Sequence, residues 1–214
     1  MHPARGRGRP RTDDPTAPRE EEILRRGLTA FAELGYDSAS VRELAGRLGV
    51  SHNFLNSRYG SKAGFWRAVV DHALPEVELP APEPTAVDDV DRIRTTVASF
   101  YRHAAHHPEL SRMVTDEFAH DSERLDYLYE RYVAPTLAKV TPSVDRLVAA
   151  GRMAPIPMHL LYFAVIGPVA GLTQTPLARH LGRPEPAGDK DLDDIADALT
   201  AVVLNGLLPA ASQP

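Results

Sequence analysis

Residues 40–59 read Ser40-Val41-Arg42-Glu43-Leu44-Ala45-Gly46-Arg47-Leu48-Gly49-Val50-Ser51-His52-Asn53-Phe54-Leu55-Asn56-Ser57-Arg58-Tyr59. Ser40 followed three residues later by Glu43 is a capping-box pattern, which opens a helix by giving orphan amides a side-chain partner. Val41, Leu44, Ala45 and Leu48 then share one face, and Gly49 breaks the run. Ser51 is a good N-cap for a further short helix, from Ser51 to about Arg58. Two short helices that cross steeply need a small side chain where they touch and a residue tolerant of positive φ in the turn. Ala45 and Gly49 meet those needs four residues apart, and Leu44, Leu48, Val50 and Leu55 supply the apolar groups that lock the pair. The segment predicts a helix-turn-helix.

The same signals extend outward. Glu20 to Leu34 has helical spacing, with Ile23, Leu24, Leu28, Phe31 and Leu34 on one side. Glu20, Glu21 and Glu22 complement the dipole in its first turn, and Gly35 stops it. A fourth helix starts near Ser61 and carries Phe65, Trp66, Val69 and Val70 to Leu74. Between Pro75 and Pro84 the chain is too rich in proline to continue a helix, which marks a boundary between a head and a body. The body predicts helices over about 87–106, 109–120, 122–150 (bent at Pro135 and Pro142), 157–172 and 190–207, with a loop from Arg183 to Lys190. No segment alternates with period two. The expected fold is all-α: an arm over 1–18, rich in Arg, Pro and Gly and read as disordered, a helix-turn-helix head over 19–75, and a larger helical body over 86–210.

Composition limits what such a chain does. There is no cysteine among the 214 residues, which excludes disulfides, thiolate metal sites and cysteine nucleophiles and fits a reducing cytoplasm. Met158 to Leu172, the most apolar stretch, is too short and interrupted for a bilayer, which needs about 20 apolar residues. No membrane partner is expected. Net charge is −5, yet residues 1–62 hold 11 Lys and Arg against 8 Asp and Glu, and the rest hold 13 against 21. A basic head on an acidic body is the asymmetry expected when one end touches phosphate.

The run from Gly35 to Ala45, then Leu48-Gly49-Val50-Ser51, then Tyr59-Gly60-Ser61-Lys62, resembles the DNA-binding domain of the TetR family of bacterial transcription regulators. The resemblance covers roughly residues 20–75; the body matches only in helical character, length and position. It implies a small N-terminal helix-turn-helix domain and a larger helical domain that dimerises and usually binds an effector. Ser51 to Arg58 would then be the recognition helix, entering the major groove by its N-terminal half. His52, Asn53 and Phe54 would face base edges, since Asn bonds bidentately to adenine and Phe packs on a thymine methyl. Ser40 and Arg42 sit where the family contacts phosphate and sometimes a base. Lys62 would pair with a phosphate, and Ser51 and Ser57 complete the expected surface. The family commonly has Tyr at the position of Asn56 and His or Tyr at that of Arg58; an amide and a guanidinium still suit phosphates, but the operator sequence cannot be inferred. Tyr59 matches an aromatic position that packs on the first helix.

Further expectations concern the body and the arm. Tyr101, Met113, Phe118, Tyr127, Tyr132 and Phe163 are candidates to line a pocket for a small apolar or amphipathic effector, set against the plainer reading that aromatics at helical spacing form core. Residues 157–172 and 190–208 carry apolar surface large enough to need a partner, read as the homodimer interface. The Pro75–Pro84 connection is long for transmitting movement, which leaves the contact of the fourth helix with the body as the other route. Arg5-Gly-Arg7-Gly-Arg9-Pro10-Arg11 resembles an AT-hook, in which Arg7 and Arg9 would lie in a narrow minor groove; the alternative is a tail with diffuse attraction to DNA. His103, His106 and His107 have spacing that collects a metal with Asp116, Glu117 or His120, but read more simply as a wet helix face. No phosphate-cradling loop, nucleophile elbow or His-Glu-x-x-His is present. The chain is expected to be no enzyme, with no cofactor and no metal. The competing readings are a ligand-sequestering helical protein and a non-specific nucleoid-type DNA binder.

Overall fold

The computed structural model describes residues 19–74 and 88–208, which are helical with no strand among them. In the head, α1 spans Glu20–Leu34, α2 Val41–Leu48, α3 His52–Tyr59 and α4 Lys62–Ala73. Each of the last three starts on a serine whose hydroxyl accepts an amide three residues on: Ser40 from Glu43 at 3.1 Å, Ser51 from Phe54 at 3.1 Å and Ser61 from Gly64 at 3.0 Å. Gly49 closes α2 in the left-handed region, φ 71° and ψ 27°, as the tight turn requires. Leu44, Leu48, Leu55, Phe65, Trp66, Val69, Val70 and Phe31 are almost fully buried together. Full burial of such side chains contributes about 1.5–3 kcal/mol each. Gly27 lets α1 cross α4 closely, because a Cβ there would lie 2.6 Å from the Phe65 ring. Tyr59 packs on Phe65 of α4, centroids 4.9 Å apart, against the apolar cluster that also holds Ile23, Leu24 and Phe31 of α1.

The body comprises α5 (Asp89–His106), α6 (Pro108–Glu117), α7 (Glu123–Leu128), α8 (Ala134–Ala149), α9 (Met158–Ile166), α10 (Ala170–Thr173), α11 (Thr175–His180) and α12 (Asp189–Leu207). Three details differ from the sequence-based expectation. The long helix over 122–150 contains a π-helical turn, Tyr129–Val133, that joins α7 to α8. Pro135 offers no N–H to the ladder, and just before it Ala134 N–H reaches back five residues to Tyr129 O. The helix over 157–172 is interrupted by a 3-10 turn at Gly167–Val169, where Pro168 likewise removes a donor. Thr175–His180 adds a short helix that no periodicity marked.

Within the body, α5 lies along α12 and α8 around Ile93, Val97, Tyr101, Ala104, Leu147, Leu161, Ala196 and Leu204. Arg102 pairs with Asp197 at 2.7 Å, and Arg146 with Asp89 at 2.6 Å. No described helix is long and apolar enough to cross a membrane. The head does not have a separate core: Leu110 and Met113 of α6 and Leu128 of α7 are buried in its apolar cluster, because α6 packs on α1. The proline-rich boundary over 75–84 lies outside the described residues.

The α5 histidines are structural elements of this packing. The His103 and His107 rings lie 4.5 Å apart, and His106 Nε2 is 3.0 Å from Asp193 of α12. Burial, with the imidazoles of His107 and His106 adding to it, pushes His103 down from 6.5 to about 4. The unfolded chain takes up that proton below 6.5 whereas the folded chain resists it until about 4. Stability from the neutral ring is therefore complete above 6.5 and is lost as the pH falls through this window. Acid titration followed by circular dichroism should show a shallower loss for His103→Gln than for the wild type; parallel curves would refute this account.

Candidate nucleic-acid interface

Leu55 is the one buried residue of α3, and it ties the helix to the head. Everything else along its outer side is exposed: His52, Asn53, Phe54, Asn56, Ser57 and Arg58. An open groove lined by Val41, Arg42, His52 and Asn56 runs between the start of α2 and this face. The arrangement places the expected base-reading residues and the first turn of α2 on one surface. Ser40 and Ser51 use their oxygens as caps, which leaves each O–H free to donate. Ser57 Oγ donates to Phe54 O at 3.0 Å within its own helix.

The cations differ in how free they are. Arg42 is exposed and, among the described residues, has no ion-pair partner. Arg25 and Arg26 are both held by Glu22, and Arg47 is held by Glu33. Arg58 pairs with Glu20 at the start of α1, at 2.5 Å, so it must exchange that carboxylate to reach a phosphate. Lys62 is turned inward. Its ammonium donates to Tyr36 O at 2.9 Å and Ala39 O at 3.0 Å and sits 4.2 Å from the Tyr36 ring centre. Two of its three N–H groups thus hold the α1–α2 loop, where the sequence expectation had a phosphate contact. Arg7 and Arg9 lie outside the described residues.

The six pocket candidates divide between two apolar clusters and the surface. Tyr101 is core, its hydroxyl donating to Val165 O at 2.7 Å. Met113 belongs to the head–body cluster, with Phe118, Tyr127 and Tyr132 packed against it. Phe163 is exposed on α9 and touches Tyr162, which in turn faces Phe118 with centroids 6.4 Å apart. The candidate metal groups are engaged elsewhere: Glu117 with Ser122 and Arg124, His120 with Asp116 O, and His106 with Asp193.

Arg124 and Asp71, which the sequence does not single out, join head to body, and Glu117, weighed above only as a metal ligand, holds Arg124 in place. Glu117, buried on α6, accepts from Arg124 Nε of α7 at 2.8 Å. The Arg124 guanidinium lies 3.7 Å from the centre of the Tyr36 ring, in the loop that Lys62 also holds. Asp71 of α4 accepts from two tyrosines of the body. No spacing rule joins Arg124 to Tyr36, or Asp71 to tyrosines 56 and 61 residues further on.

With this geometry in view, residues 23–69 match the family model of bacterial regulatory proteins, tetR family. The head is a TetR-family domain. Solved structures of similar shape are transcriptional regulators, two of them named as TetR-family members. A TetR transcriptional regulator family member from Streptomyces coelicolor is 19% identical, covers 90% of this chain and 92% of its own, and superposes with a TM-score of 0.67. A TetR family transcriptional regulator from Thermus thermophilus is 19% identical over 88% and 96%, TM-score 0.62. A ketosteroid transcriptional regulator of Mycobacterium tuberculosis is 17% identical over 88% and 94%, also at 0.62. At these identities the likeness establishes the TetR-type fold for head and body together. No curated protein matches the sequence.

Proposed function

We propose that this chain is a sequence-specific transcriptional regulator of the TetR type. It grips a pseudopalindromic operator as a homodimer, represses by occupancy, and releases DNA when a small effector binds the body. The carrying observation is the exposed face of α3, capped by Ser51 and pinned by Leu55, with the exposed cation of Arg42 beside it. A B-form major groove admits a helix, and Asn53 and Phe54 suit adenine and thymine edges. Double-stranded DNA is the partner. Self-association is supported by apolar side chains left outside the core: Leu160 and Phe163 on α9 are 50% and 60% exposed, and Val202 on α12 is 72% exposed. Covering them with a second copy sets two recognition helices about 34–36 Å apart, one duplex turn. For the effector, the ring contacts between Phe118 and Tyr162 are the best support, since Tyr101 and Met113 are already packed.

Selecting genomic fragments with purified protein tests the reading directly. An enriched pseudopalindrome supports it, while A·T-rich DNA without symmetry shifts the activity to the Arg-rich arm and overturns it. Single substitutions then separate the roles. Arg42→Ala is expected to weaken binding to every sequence and reduce the salt slope by about one. Asn53→Ala should instead reorder which sites are preferred, and an unchanged ranking would refute the register of the recognition helix.

A further inference from the structure

Two hydroxyls from one helix of the body converge on one carboxylate of the head. Tyr127 and Tyr132 each donate to Oδ1 of Asp71, near the end of α4, at 2.5 Å. The tyrosines are five residues apart. Along an α-helix that spacing leaves two side chains about 140° from each other, pointing to different sides. Here most of the stretch between them is the π-helical turn Tyr129–Val133, whose i→i+5 bonding winds the chain more slowly and brings the two rings toward one side. The extra residue in that turn is what brings both rings to the same acceptor.

A second α4 residue grips the same segment. Arg67, one turn before Asp71, lies 5.1 Å from the Tyr127 ring centre and 3.9 Å from Glu123. Bonds from O–H to a carboxylate belong to the strong, charge-assisted class. Yet Asp71 is exposed and both tyrosines are only partly buried, so these bonds can break without unfolding either domain. Drawing the π-turn back to an α-turn would rotate Tyr132 away and leave Tyr127 alone on Asp71.

We propose that Asp71, Tyr127 and Tyr132 form a latch that sets the pose of the head on the body, and through it the half-site spacing the dimer accepts. The π-turn is its adjustable part. The proposal rests on the reading that a homodimer grips a pseudopalindromic operator. None of the three residues lies on the DNA face; they are positioning residues, acting through the placement of α3.

The test uses the full chain carrying Tyr127→Phe with Tyr132→Phe, which removes two oxygens and keeps both rings. Affinity is measured for duplexes with one half-site and for full operators whose spacer varies one base pair at a time. Half-site affinity should stay within about twofold, whereas the best full operator should weaken by about tenfold, inside the roughly 5–150-fold range of typical couplings. The preference for one spacer should flatten, and Asp71→Asn should give the same profile. Equal losses on half-site and operator, or an unchanged spacer profile, overturn the latch. A DNA-free measurement separates this from failure of the regulator reading. The chain has no cysteine, so a spin label at Glu21→Cys reports the distance between the two heads alone. The wild type should give a narrow distribution and the double variant a broad one. Identical distributions overturn the latch whatever the DNA results; a wild type that selects no pseudopalindrome overturns the operator reading and, with it, the role in spacing.

Discussion

A Gly64→Ala substitution is expected to destabilise the head by about 3 kcal/mol, the upper end of overpacking costs. A Cβ at Gly64 would stand 2.1 Å from the carbonyl oxygen of Tyr59, far inside any non-bonded contact. That oxygen cannot simply swing away. It accepts the Ser61 N–H at 2.9 Å in the turn around Gly60, whose φ of 76° and ψ of −44° make a tight γ-type turn. Gly64 N–H is also the donor to the Ser61 cap. Relief must therefore come from moving the start of α4, which carries Phe65 and Trp66 of the head core and the Lys62 that holds the α1–α2 loop. Urea unfolding followed by the fluorescence of Trp66, the single tryptophan, should show a lower midpoint with an unchanged slope. Gly46→Ala is the control. That site in α2 has open space for a Cβ, and the change should stabilise by roughly 0.5–1 kcal/mol. Gly64→Ala unfolding at the wild-type midpoint would mean that the α3–α4 turn yields freely.

The second large effect concerns the buried pair under the loop. Glu117 is 6% exposed and bonds Arg124, whose cation lies over the Tyr36 ring. Glu117→Ala leaves that cation partly buried with, among the described residues, Asp37 as its remaining carboxylate, 4.0 Å away and itself in solvent. Removing one partner of a buried pair costs about 3–5 kcal/mol, and Asp37 places this case near 3. Removing both charges should be far milder, because an apolar pair of similar volume often replaces a buried ion pair at no net cost. Glu117→Met with Arg124→Leu should therefore be more stable than Glu117→Ala alone. A double-mutant cycle by chemical denaturation decides it, and a single-variant cost under about 1 kcal/mol would show that water already screens the pair. The loop over this pair leads into Ser40 and Arg42, so operator affinity should fall along with stability.

The site and the fold were legible to different depths. Helix α3 was readable because its determinants close within one turn: Ser51 caps an amide three residues on, and Gly49 supplies a left-handed φ that few other residues adopt. The polar run His52 to Arg58 needs no partner, so its exposure follows from the burial of Leu55 alone. Lys62 shows where such reading ends. Its type and position suit a phosphate, but its ammonium is taken by carbonyls 26 and 23 residues away. Arg58 is likewise engaged by Glu20, 38 residues back. The aromatic candidates were sorted by packing, which assigned Tyr101 to the body core and Tyr127 and Tyr132 to the seam with the head.

The sequence by itself determined the all-helical class, the helix boundaries of the head and the face of α3 that meets solvent. Caps, glycine turns and helical periodicity act over three to five residues, so their signals are complete within a short stretch of chain. Only the tertiary structure decided that head and body share apolar packing, that Lys62 faces inward, and that Asp71 meets two tyrosines at separations of 56 and 61 residues. Those pairings depend on how α6 and α7 lie against α1 and α4, and on one extra residue in a helical turn. Neither leaves a periodic trace along the chain, because what selects the partner of a charge or a hydroxyl is proximity in the packed state.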